Sequence, residues 1–113
     1  MYIGYKNSRL KKICENMSKA RKHLPHYINP ELLINVLRDL GSYNTMADIP
    51  FGKPFRLHKW AGKRKGQWTV DLFRLYRIHF IPAGDYKTDE HSNLILKTVT
   101  SIQIVDIGDF HGW

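Results

Sequence analysis

The sequence predicts an α+β domain, with two N-terminal helices packed on one face of a largely antiparallel sheet of four to five strands. Two changes of pattern carry that expectation. From Leu10 to Leu40 the apolar residues recur at helical spacing, and after Pro54 their period drops to two. The length of 113 residues adds a bound: it suits one domain, residues 1–113, whose core needs no staples.

The segment "YIGYK", Tyr2–Lys6, is short and β-prone and predicts an opening strand. Asn7 or Ser8 then offers an N-cap. Leu10, Ile13, Cys14 and Met17 stand at i, i+3, i+4 and i+7, which predicts one helix running to Pro25 with Lys11, Lys12, Lys19 and Lys22 on its other face. In "NPELLINVLRDLG", Asn29 caps and Pro30 takes the first helical position. Leu33, Val36, Leu37 and Leu40 form the stripe there, and Gly41 is the expected stop. Three strands follow, in "FRLHKW", "QWTVDLF" and "YRIHFI", each alternating an apolar with a polar face. "LKTVTSIQIVDI" is a fourth such run, and the polar stretch Pro82–Asn93 before it predicts a loop. The order is β-α-α-β-β-β-β. The sheet face without helices then carries Arg56, His58, Arg77 and His79.

The formal net charge is +8, and it is unevenly placed. Residues 1–28 carry seven Lys/Arg against one acid, and residues 51–82 carry eight against one. Concentrated positive charge fits a polyanion partner or an acidic protein. Cys14 is the only cysteine, which excludes an internal disulfide and a cysteine-based zinc site and fits a cytoplasmic location. No apolar run has signal-peptide or membrane-spanning length.

The stretch "RLHKWAGKRKGQW", Arg56–Trp68, holds five cations, one histidine and two tryptophans with no acid. The chain ends on "DIGDFHGW", which supplies Asp109 and His111. No phosphate-binding glycine loop and no helical metal-ligand spacing is present, so neither a metal nor a cofactor is expected. A reaction that uses imidazoles, a carboxylate and cations is RNA cleavage by the neighbouring 2′-hydroxyl. A base takes the 2′-proton, an acid protonates the leaving 5′-oxygen, and cations stabilise the charge that grows on phosphorus. His58, Asp109, His111 and Arg77 are the candidate catalytic groups. Arg56, Lys59, Lys63, Arg64, Lys65 and Phe110 are the candidate RNA contacts. Each also has a structural role to offer. Arg77 can pair with Asp71 across a hairpin, "GKRKG" is a basic turn, and Trp60 and Trp68 are packing residues before they are stacking platforms.

"RLHKWAGKRKGQWTVDLFRLYRIHF" followed by "IQIVDIGDFH" resembles the HigB-type host-inhibition toxins of the RelE/ParE superfamily. The shared order is an Arg-Leu-His strand, a basic turn with glycine, a Gly-Gln-Trp strand, an aromatic-Arg strand and a terminal Asp-Tyr-His. The resemblance implies a microbial-ribonuclease-like RelE fold and ribosome-dependent cleavage of mRNA without a metal, in the cytoplasm. It also implies neutralisation by a cognate antitoxin, a HigA-like helix-turn-helix protein through which the pair meets operator DNA. The family histidine falls on His58, the terminal catalytic pair on Asp109 and His111, and the arginine of the aromatic-Arg strand on Arg77. The terminal tyrosine falls on Phe110, which keeps the ring and lacks the hydroxyl. Two alternatives stay open: a non-enzymatic ParE-like inhibitor of DNA gyrase, and a catalytically weakened RNA-binding relative.

Overall fold

The computed structural model describes residues 1–109, apart from the side chain of Lys63. It shows an α+β domain whose helices precede most of its strands, compatible with a RelE-like architecture. Strand β1 is Tyr2–Tyr5, and three helices follow, α1 Ser8–Glu15, α2 Met17–His23 and α3 Pro30–Ser42. The remaining strands are β2 His58–Lys59, β3 Trp68–Phe73, β4 Tyr76–Pro82 and β5 Ser101–Asp109. The sheet order is β1-β5-β4-β3-β2, with β1 parallel to β5 and every other pairing antiparallel. Among the described residues no helix is long and apolar enough to cross a membrane.

The single first helix expected from the sequence is two. Asn16 ends α1 by donating its backbone N–H to Lys12, and its side chain accepts from the N–H groups of Ser18 and Lys19 to start α2. One residue thus satisfies orphan groups of both helix ends. Met17 consequently leaves the apolar stripe and is exposed. The α3 start is as expected: the Asn29 side chain accepts from Glu31 N–H and Pro30 is the first helical residue. Gly41 does not stop the helix. It stays helical, and the end falls at Tyr43, whose ring packs edge-on against Phe55 at 5.8 Å.

Strand β2 is far shorter than "FRLHKW" suggests. Arg56 sits at φ 49, in the left-handed region, and donates its N–H to Gly52 at 2.9 Å. Phe55 and Leu57 are both buried on either side of that bend, and regular pairing is delayed until His58. The last strand also starts late. Leu96–Thr98 is a single 3₁₀ turn, held by the Thr98 hydroxyl, which donates to Ile95 carbonyl and accepts from Lys87 N–H. In the loop before it, the Asp89 carboxylate accepts from the N–H groups of Asn93 and His91, and those bonds, Asn93's first, lower its pKa.

The core lies between the helices and one sheet face. Leu10, Ile13, Leu33, Leu37 and Leu40 meet Val70, Ile78, Phe80, Ile102 and Ile104 there. A β-bulge at Val105 places Ile104 opposite Phe80 and Asp106 opposite His79. It rephases the strand, so Ile104 and Ile107, three residues apart, both point to the core.

Candidate functional site

Cross-strand register assembles the other face row by row. One row runs His58–Thr69–His79–Asp106 over β2, β3, β4 and β5. In the next row Asp71 stands opposite Arg77, and Arg77 opposite Gly108. Side chains directly opposite each other share a face. The two rows therefore bring together residues between 6 and 48 positions apart in sequence, from Asp71 and Arg77 to His58 and Asp106.

The second row forms a cleft of ≈ 400 Å³ lined by Phe51, Arg56, Leu57, His58, Asp71 and Arg77. At its centre Asp71 is shared by two arginines. Its Oδ1 is 3.4 Å from Arg77 Nε and its Oδ2 is 3.5 Å from Arg56 Nε. The Arg77 side chain is only 12% exposed, and its Nη1 also donates to Leu75 carbonyl at 3.3 Å. Arg77 is thus a largely buried, doubly held cation, whereas Arg56, with 57% of its side chain exposed, stands at the solvent-facing rim. The trio carries one net positive charge beside the exposed imidazole of His58. Phe51, 64% exposed, adds an aromatic ring at the mouth. An arginine pair, an imidazole and an open ring can receive a phosphate, a proton and a base.

The first row is closed over by Trp60. Its indole N–H donates to His79 Nδ1 at 2.7 Å, and the two rings stack at 5.3 Å. An indole nitrogen only donates, so Nδ1 carries no proton and His79 is neutral. Burial, and next to it the Arg64 guanidinium, push the His79 pKa down to about 4; Asp106 works against them. Arg64 lies over the Trp60 ring at 5.7 Å, donates to Gln67 at 2.9 Å and pairs with Asp106 at 3.4 Å. This cluster lies outside the main core, on the opposite side of the sheet.

The candidate residues therefore separate. His58, Arg56 and Arg77 meet in the cleft. Lys59 is exposed beside His58, and Lys65 is exposed at the end of the basic turn. Arg64 is turned back into the Trp60 cluster and ties that turn to β5. His79 was expected on the open face; it is on that face but covered, because Trp60 reaches across from β2. Asp109 is exposed and stands opposite Tyr76, with Ile107 on its own side, whereas Arg77 faces Gly108. Among the described residues, the register does not bring Asp109 into the cleft. Phe110 and His111 lie outside the described residues, as does the side chain of Lys63. Among the described residues no three His, Cys, Asp or Glu side chains converge on a metal position. Phe51 and the Trp60–His79 bond were missed in the sequence. Neither had a clear signal: a regular two-residue turn at Arg74–Leu75 would set Val70 opposite His79, and the register shift between Asp71 and Phe73 sets Thr69 there instead, with His58 opposite Thr69 in the next pairing.

No protein-family model matches this chain, and comparison with curated proteins finds no match.

Proposed function

We propose that this protein is the toxin of a type II toxin–antitoxin pair, an endoribonuclease that cleaves mRNA on the ribosome. The observation that carries the reading is the cleft, where Arg56, Arg77 and His58 converge on the helix-free face around Asp71. The order of motifs that resembles HigB-type toxins supports it. In the reaction the 2′-oxygen bonds to phosphorus and the bond from phosphorus to the 5′-oxygen breaks, leaving a 2′,3′-cyclic phosphate. One group removes the 2′-proton and another returns a proton to the leaving oxygen. His58 fills one of these roles and the terminal His111 the other, with Asp109 as the carboxylate of the terminal segment that supports His111. Arg77, held by Asp71, and Arg56 stabilise the extra negative charge on the phosphorane oxygens. Phe51 and Phe110 offer rings on which bases stack. The cognate partner is a HigA-like antitoxin that binds operator DNA, and the setting is cytoplasmic.

A second reading is a non-cleaving relative that acts by binding, on DNA gyrase or on RNA. One observation favours it: Asp109 registers with Tyr76, away from the face of His58. Expression in a host followed by primer extension on mRNA separates the two. The expected result is translation arrest with cleaved messages. His58→Ala should lose about 10²- to 10⁴-fold in single-turnover cleavage with ribosome co-sedimentation intact. Arrest of replication with intact mRNA refutes the nuclease reading.

A further inference from the structure

A second positively charged concavity lies away from the cleft, between α1 and α2. It measures ≈ 490 Å³, and Arg9, Lys12, Lys19, Lys22 and His23 line it with Ser8 and Ile13. The break at Asn16 makes it. Arg9 and Lys12 are an i, i+3 pair on α1, and Lys19 and Lys22 are an i, i+3 pair on α2, so each helix turns two cations toward the same groove. Among the described residues none of the four forms an ion pair, and neither helix has an acid in its first turn. Four like charges around one concavity oppose folding, by the same repulsion that destabilises like-charged neighbours on a helix. A bound anion removes that cost.

We infer that this groove holds the phosphates of an RNA strand. The lining selects for phosphate over an acidic peptide. Its side chains are long cations that reach point charges, and its one apolar residue, Ile13, is itself buried. It presents no strand edge and no apolar pocket, the two features by which peptide segments are held. Its floor is fixed at one end, since the His23 Nε2–H donates to Ile107 carbonyl at 3.1 Å, two residues before Asp109 on β5. A strand lying in the groove is therefore led toward the end of β5. The choice of RNA rests on the ribonuclease reading above; the anion groove does not.

The test needs no cleavage, so its outcome is independent of the catalytic reading. A fluorescent 12-nucleotide RNA with 2′-O-methyl groups, which cannot be cut, is titrated by anisotropy at several salt concentrations. The parent is compared with the triple variant Lys12→Gln/Lys19→Gln/Lys22→Gln. A control of equal charge, Lys11→Gln/Lys87→Gln/Lys97→Gln, changes exposed lysines outside the groove. Loss of three phosphate contacts should make the slope of log K against log salt shallower by about 2 in the groove variant. The control should keep the parent slope. Equal slopes in groove and control variants overturn the proposal, because the groove is then only part of a solvated basic surface. Unchanged RNA binding with lost binding of a labelled poly-glutamate peptide also overturns it and assigns the groove to an acidic protein segment. Circular dichroism and melting temperature confirm that each variant is folded before the titration is read.

Discussion

Acid should unfold this protein partly through one neutral imidazole. His79 has its pKa pushed down to about 4 from the ordinary 6.5, with burial as the main cause. Protonation would also set an Nδ1–H against the Trp60 N–H and break the 2.7 Å bond between them. The native state thus binds this proton later than the unfolded chain does. The stabilisation is complete above pH 6.5 and is lost as the pH falls from there through about 4. Over that span, at 1.36 kcal/mol per pH unit, the loss reaches about 3 kcal/mol near pH 4. The assay is urea unfolding at a series of pH values from 7.5 to 4. The comparison protein is His79→Gln, which keeps an acceptor for the indole N–H and does not titrate. Carboxylates contribute equally to both proteins and cancel in the difference. The parent should lose about 3 kcal/mol more than the variant across the series. Parallel stability curves would refute the reasoning, since His79 would then take up its proton in the folded protein as easily as in the unfolded chain.

Two further outcomes follow from the shared carboxylate and from the bend before β2. Asp71→Asn takes the charged acceptor 3.4 Å from Arg77 Nε away from a side chain only 12% exposed, so stability should fall by about 1–3 kcal/mol in urea unfolding. RNA affinity at low salt should rise at the same time, because the cleft gains a net positive charge; a parallel fall in both refutes the arrangement. At Arg56 the left-handed backbone costs about 1 kcal/mol, which glycine avoids while losing more chain entropy. Arg56→Gly should therefore leave stability within about 1 kcal/mol of the parent and lower RNA cleavage by about tenfold or more in single turnover. An equal loss of stability and activity would mean that Arg56 is a structural residue.

The parts of this fold that were readable in the sequence are those decided locally. Asn29 followed by Pro30 announces α3 because both residues act on their own helix end. The alternation of "YRIHFI" gives the right faces to Ile78, Phe80, Arg77 and His79 because strand geometry allows no other. What stayed hidden depends on residues distant in sequence. Asn16 looks like an interior helical position between Cys14 and Met17 of the apolar stripe, and only the direction of α2 against α1 reveals it as a double cap. Arg64 reads as a free cation in a basic turn, yet Asp106, 42 positions away, draws it onto the sheet. The apolar neighbours of His79 point to its partial burial, but its full covering needed both the register of three strands and the reach of Trp60. In the site, the residue types of the cleft were legible and their grouping around Asp71 was partly so. Phe51 carried no signal, since its place beside His58 is set by the irregular chain before β2.

The extra residue in β5 separates two properties that a regular strand keeps locked together. Val105 has no opposite number, and its neighbours Ile104 and Asp106 already face Phe80 and His79. Removing it would join those two pairings directly, and every later residue would keep the side of the sheet it now has. What would change is direction, because a bulge bends its strand and adds local twist. Sidedness in this strand is written by the isoleucines, while aim is written by one surplus valine. The stretch from Ile107 to Asp109 can therefore be re-aimed by deletion at a single position, with the isoleucines kept on the core side.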